Sequence, residues 1–547
     1  MRGSILVVLS LLLSPALALA DHAMAPMTPT SGAPARMIEG LSDLHHPVTT
    51  THAEAQQFFD QGLRLVFAFN HDEAIRSFRR AAELDPALAM AHWGIAYALG
   101  PNINLPLDEV RAQQALDAVR RASQLTSGAS EPERDYIRAL EKRYSADPKL
   151  DRATLDRAYR DAMRELHRRY PDDLDAAVLY AESMLDLTPW AWWSKDGKPA
   201  EFTEETIAVL ESVLRRNPDH MGAIHYYIHV VESSPTPERA LGYAERLPKL
   251  TPGAGHLVHM PTHLQLNLGH YRAAAEGNVV AAKVDRDYIT REQITGVYPA
   301  MYFNHNLHLG AVASAMEGRY ADAIGPAREL ERNVKPQLAA MPGIEFYLPT
   351  PLLLEIRFRR WNGVMASPRP DGAPATLALW HFGRGMAAAA RNDLAGADRA
   401  LGAFTQAAAK VGSDLFWGLN LSVAMLPIPK ALLEARIARL RKDGAGAIAA
   451  LQRAVAAEDA LAYNEPPDWY LFARESLGGE LLLQQKFAEA EAVFREETKR
   501  RPASGRALFG LHEALLGQNR KSAAGMVKVE LDRAWGRSDV ALAVADL

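Results

Sequence analysis

The feature that most constrains this chain is a spacing. Beginning at Ala55, the stretch AQQFFDQGLRLVFAFNHDEAIRSFRRAAELDP carries Gly62 in one apolar-periodic segment, Ala74 in the next, and Pro86 at its end. Small residues let two helices pack at a short axial distance, and proline cannot continue a helix. The stretch therefore reads as two helices that cross near Gly62 and Ala74 and stop before Pro86. The marks recur along the chain. Ala240 and Pro252 repeat the spacing of Ala74 and Pro86, and Gly269, Tyr271 and Ala274 are matched by Gly318, Tyr320 and Ala323. Gly478, Phe487, Ala490 and Pro502 form another full unit, followed by a weaker one around Gly510 and Gly517. Units of this size cannot bury their apolar faces alone, so they must stack on their sequence neighbours.

On these marks the chain resembles the tetratricopeptide repeat superfamily over most of residues 55–535, with degenerate units at 120–215 and 375–460. The resemblance implies an all-α, right-handed α-solenoid of helix-turn-helix repeats, of the kind found in exported bacterial proteins. It also implies that the second, fifth, ninth and twelfth positions of each first helix line a concave groove, where such proteins hold a peptide or protein partner. The period divides the chain into 51–215, a central histidine-rich part at 216–340, and 341–547. Three segments break it: 187–198 with Trp190, Trp192 and Trp193, 343–351, and 464–469. The tryptophans are either a platform for a ligand or a hydrophobic plug. Glu465 and Trp469 either face the groove or mark an ordinary repeat boundary.

The N-terminus reads differently. Arg2 precedes an apolar run ending at Leu13, and Ala18-Leu19-Ala20 has the small-x-small form of a signal peptidase site. The expectation is a signal peptide at 1–20 cleaved after Ala20, a secreted or periplasmic mature chain, and no transmembrane segment after cleavage. Residues 21–50, rich in Pro, Ala, Thr and Met, read as a flexible leader in which His22, His45 and His46 are solvated. A net charge of -5 gives no polyanion-binding signature, so nucleic acid is not an expected partner. The 547 residues include no cysteine, which removes disulfides, thiolate metal sites and cysteine nucleophiles.

Nine of the 18 histidines fall in residues 220–308. His225 and His229 are four apart on one helix and share a face. His259 and His263 repeat the pair 34 residues later, one repeat period. Aligned on Ala240 and Ala274, both pairs occupy the fifth and ninth positions of their first helices. His256 is then at the second position and Glu232 at the twelfth. In the next unit His305 and His308 take the second and fifth. HYYIHVVESS and HMPTHLQLNL share almost nothing but the two histidines, so simple duplication does not account for them.

Imidazole in this pattern points to a divalent transition metal such as zinc, copper or iron, held by His225, His229, His259, His263, His305 and His308. Glu232 is placed as a carboxylate ligand, as an acceptor that fixes an imidazole tautomer, or as a general base. His256, Tyr227, Tyr302 and Asn304 complete a polar groove with Glu465 and Trp469. Such a metal could serve hydrolysis or oxygen activation, and the sequence does not choose between an enzyme and a binding protein. The competing readings are a metal-free groove for a peptide, a partner protein or an anionic small molecule, a metal-free hydrolase of small molecules, and packing alone. No HEXXH, Walker loop or nucleophile elbow is present.

Overall fold

The computed structural model describes residues 35–147 and 149–547. The expected signal peptide, the first part of the leader and His22 lie outside the described residues. The described chain is all-α apart from one hairpin, in which Phe416–Trp417 pairs antiparallel with Asn420–Leu421. Helices pack on their sequence neighbours in helix-turn-helix pairs, the arrangement of an α-solenoid. Among the described residues no helix is long and apolar enough to cross a membrane.

The repeat marks act as the sequence reading requires. The ring of Phe78 is clasped between two glycines: a Cβ on Gly62 would lie 2.6 Å from it, and one on Gly94 2.5 Å. Phe494 is held in the same way, 2.3 Å from a Cβ on Gly478 and 2.1 Å from one on Gly510. In both places the aromatic follows the first glycine by sixteen residues and precedes the second by sixteen. Helices His71–Leu84, Leu247–Leu250 and Phe487–Arg500 each end two residues before Pro86, Pro252 or Pro502. Gly269 and Gly318 close helix ends at φ +76, a backbone state that glycine enters without strain.

Two compact units result. The first comprises 45–63 and 71–215 of the described chain. Its helices Glu109–Gln124, Arg152–Arg169 and Leu174–Leu185 begin on Asp108, Asp151 and Asp173, each of whose carboxylates accepts a first-turn backbone N–H. Within it Trp192 is a buried plug whose indole N–H donates to the Leu185 carbonyl at 3.1 Å. His46, expected in a solvated leader, is instead largely buried, with Nδ1 2.7 Å from Asp175 Oδ2. Burial opposes its charge, but Asp175, Asp173 and Asp60 together raise its pKa. The second unit comprises 35–44, 64–70 and 216–547 of the described chain. All the central histidines belong to it.

Candidate metal centre

Three successive first helices carry the site. Met221–Glu232 presents His225, His229 and Glu232 on one face, as their spacing of three and four requires. The next is broken at Met260, where Gly255–His259 ends and Pro261–Asn267 begins, because Pro261 has no N–H to donate. The break falls between His259 and His263, and both rings still meet. The third helix, Asn304–Met316, is entered through a π-helical turn, Tyr298–Phe303, which ends two residues before His305.

The partners of each Nδ1 fix the tautomers. His225 Nδ1 lies 2.7 Å from the Phe67 carbonyl oxygen, which can only accept, so Nδ1 carries the proton. The unprotonated Nε2 of His225 then faces Nε2 of His229 and Nε2 of His256, each at 3.1 Å. His229 in turn donates from Nδ1 to Glu232 Oε1 at 3.2 Å. His259 Nδ1 is 2.7 Å from Asn278 Oδ1. The Asn278 amide is oriented by its own donations to the Ala274 carbonyl and Thr262 Oγ1, at 2.8 and 3.0 Å. His259 therefore also turns a bare Nε2 inward, 2.6 Å from His263 Nε2. His263 Nδ1 sits between Glu232 Oε2 at 2.6 Å and Glu465 Oε2 at 2.7 Å, and its Nε2 is 3.2 Å from His305 Nε2.

The pocket is closed. His225, His229, His256, His259 and His263 are at most 3% exposed, and His305 is half-buried. The Phe69 ring covers the first set, with centroids 4.4 Å from His225, 5.7 Å from His229 and 5.5 Å from His256. Burial holds His229, His256, His259 and His305 well below the usual imidazole range, and neighbouring imidazoles add to the effect. They are neutral, the form that ligates metal. His263 differs: burial disfavours its charge, but Glu232 and Glu465 push it up to about 10. Burial also raises Glu232, and lifts Glu465 to about 7. The donor atoms fall into groups whose members lie within 4.8 Å of one another: His225, His229 and His256; His259, His263 and His305; and between them His229, Glu232 and His263.

Not every expected residue joins them. His308 lies beside Phe346, Tyr347 and Tyr470, with neither ring nitrogen hydrogen-bonded. Tyr227 packs edge-on to Tyr243. Asn304 bonds the Ala300 carbonyl and Asn333, holding the π turn, and Trp469 is core against Phe382. Tyr302 does meet the site, edge-on to His256 at 4.9 Å. Glu465 reaches it too, steadied by Asn267 and Tyr463. Sequence reasoning misses Phe69, the Phe67 carbonyl and Asn278, which no period marks.

Fold and site together define a helical-repeat protein with a buried polyhistidine pocket. No family model matches the chain, and no curated protein matches it. Among solved structures it is similar to the human IFIT1 dimer with m7Gppp-AAAA, at 11% identity and a TM-score of 0.34, covering 89% of this chain and 91% of that one. Yeast Tom70 is similar at 12% identity and a TM-score of 0.30, with 86% and 90% covered. Naa15/Naa10 bound to HypK-THB gives 11% and 0.24, with 89% and 90% covered. Likenesses this distant say nothing about function.

Proposed function

We propose that this chain is an exported metal-binding protein whose central repeats hold a transition metal in the histidine pocket. One observation carries the reading: Nε2 of His225 lies 3.1 Å from Nε2 of both His229 and His256, while Nδ1 of His225 and of His229 turns outward to the Phe67 carbonyl and to Glu232. Imidazole nitrogens that converge at that spacing in a buried site form the donor set a transition metal takes. The outward hydrogen bonds to the Phe67 carbonyl, Glu232 and Asn278 are those that orient metal-ligating imidazoles. Because these rings are buried, they offer nothing to an extended peptide, which weakens the groove-binding alternative. Export rests on the sequence of residues 1–20.

The test is metal analysis of untagged protein, with a thermal shift series against zinc, copper, iron and nickel. A ligand at one hundred times its dissociation constant stabilises the fold by about 2.7 kcal/mol. Bound metal in the wild type, lost in a His229→Ala, His263→Ala double variant, is the expected result. Absence of metal and of any metal-induced shift overturns the proposal.

A further inference from the structure

The C-terminal repeats gather arginines where the fold leaves room. Arg357 ends helix Thr350–Arg357, Arg436 and Arg439 lie on Pro427–Leu440, and Arg506 is near the start of Gly505–Gly517. With Arg359 they border two cavities, of about 420 and 230 Å³, that share Arg357, Arg359, Arg506 and Asp546. The larger is within the ~300–1,000 Å³ range of small-molecule sites. Shared acceptors link the guanidinium groups. Glu475 Oε2 accepts from Arg506 Nε at 2.6 Å and lies 3.3 Å from Arg357 Nη1. Arg506 also donates to the Asp546 carbonyl at 2.6 Å, and Arg359 pairs with the Asp546 side chain. Arg436 donates to the Leu547 main-chain oxygen at 2.7 Å, and Arg439 pairs with Glu480.

These acceptors do not balance the cluster. Five guanidinium groups meet the side-chain carboxylates of Glu475, Glu480 and Asp546, and a terminal carboxylate on Leu547 would still leave positive charge in excess. Burial and the neighbouring guanidinium groups hold Arg359 below the usual arginine range and push Arg436 down to about 9. Buried charge without a counterion is costly, so a further anion stabilises the cluster. The larger cavity has walls for an anion with an apolar body, because Phe358, Trp361 and Trp535 line it beside Arg357, Arg359 and Arg506. Trp535 is a fixed wall: its indole N–H donates to the Val540 carbonyl at 3.0 Å, and a Cβ on Gly505 would lie 2.1 Å from its ring. The side chains these arginines already hold are carboxylates, whose two oxygens match the guanidinium fork. We propose that this cavity binds a small organic carboxylate, with its acid group on Arg357, Arg359 and Arg506 and its apolar or aromatic body against Trp361 and Trp535. The Asp546 side chain, on Arg359 at the border of both cavities, competes for the same guanidinium.

The full chain is titrated by calorimetry with phenylacetate, with its neutral counterpart phenylacetamide, and with phenyl phosphate. Expected is one phenylacetate per chain, phenylacetamide about tenfold weaker, as the loss of hydrogen bonds to a charged group requires, and phenyl phosphate weaker than phenylacetate. Arg359→Gln, at a half-buried position, is expected to weaken phenylacetate by a similar factor and to leave the melting temperature of the free protein little changed. Asp546→Asn frees that guanidinium of its internal carboxylate and is expected to tighten phenylacetate, a gain that a loss of structure would not give. Equal binding of phenylacetamide overturns the role of charge, and tighter binding of phenyl phosphate overturns the choice of a carboxylate. Unchanged affinity in both variants overturns the placement on Arg359. No phenylacetate bound by the wild type or by Asp546→Asn at about 10 mM, where a ligand this small is expected to bind, overturns the site.

Discussion

Glu465 Oε2 lies 2.7 Å from Nδ1 of His263, so a residue from a distant turn of the chain holds an imidazole of the first-helix face. The carboxylate holds the proton on Nδ1 and so aims Nε2 at the other imidazoles, the nitrogen that a metal would take in place of its proton. Glu465→Gln keeps the size and removes the charge. Loss of such an outer partner costs about 10- to 100-fold in metal affinity. Glu232 Oε2 still accepts from His263, so the expected loss is near the lower figure. Competition against a chelator of known affinity measures it, and unchanged affinity would show Glu465 to be a packing group.

His308 separates register from function. It shares the fifth position with His225 and His259, but the ninth position of its helix is Val312 rather than a second histidine. Its ring is buried with neither nitrogen hydrogen-bonded, and burial pushes its pKa down to about 3. A buried unpaired polar group costs about 1–3 kcal/mol. His308→Leu is expected to leave metal content unchanged and to hold or raise the melting temperature by a few degrees. His305→Leu is expected to reduce the metal bound. Loss of metal in His308→Leu would return that residue to the site.

The fold and the histidine pairs are legible in the sequence because both depend on helical periodicity. A spacing of four puts His225 and His229 on one face whatever surrounds them, and a 34-residue offset repeats the arrangement at His259 and His263. The second positions carry His256 and His305 into the same pocket by the same logic. The supporting residues are not legible. Phe69 and Asn278 act through the way one chain segment passes another, which no local pattern records. Tyr227 and Asn304 are polar residues beside the histidines in sequence, yet they point to Tyr243 and to the Ala300 carbonyl. Adjacency along a helix changes direction by about 100° per residue, so a neighbour in sequence is seldom a neighbour in a site.

The clasp around Phe78 gives a packing test. In helix Ala89–Leu99, alanine in place of Gly94 should favour the helix by about 1 kcal/mol. Its Cβ, however, would lie 2.5 Å from a ring that Gly62 already confines on the other side. Overpacking of this kind costs about 1–3 kcal/mol, so the clash exceeds the propensity gain. Gly94→Ala is expected to lower the melting temperature, and Gly94→Ala combined with Phe78→Leu to be less unstable than the sum of the single changes. Additive effects in chemical denaturation would show that ring and glycine do not compete for the same space.

Asp285 offers a pH test away from the imidazoles. It is fully buried, accepting from the Tyr298 hydroxyl and from Asn306 Nδ2, both at 2.7 Å, and so ties the π turn to the helix that bears His305. Burial pushes its pKa up to about 7 although both hydrogen bonds favour the charge. In the unfolded chain the group ionises near 4. Between those values the folded state holds the proton and the unfolded state does not, so rising pH favours unfolding. Its contribution is fullest below about pH 4 and is lost progressively up to about pH 7, by as much as about 1.4 kcal/mol per pH unit. Asp285→Asn has no such proton to lose. Metal-free Asp285→Asn should therefore come nearest the wild type at about pH 4 and exceed it near pH 8, with the gap opening as pH rises. Parallel pH profiles of melting temperature for the two proteins would show that Asp285 is ionised in the folded chain throughout that range.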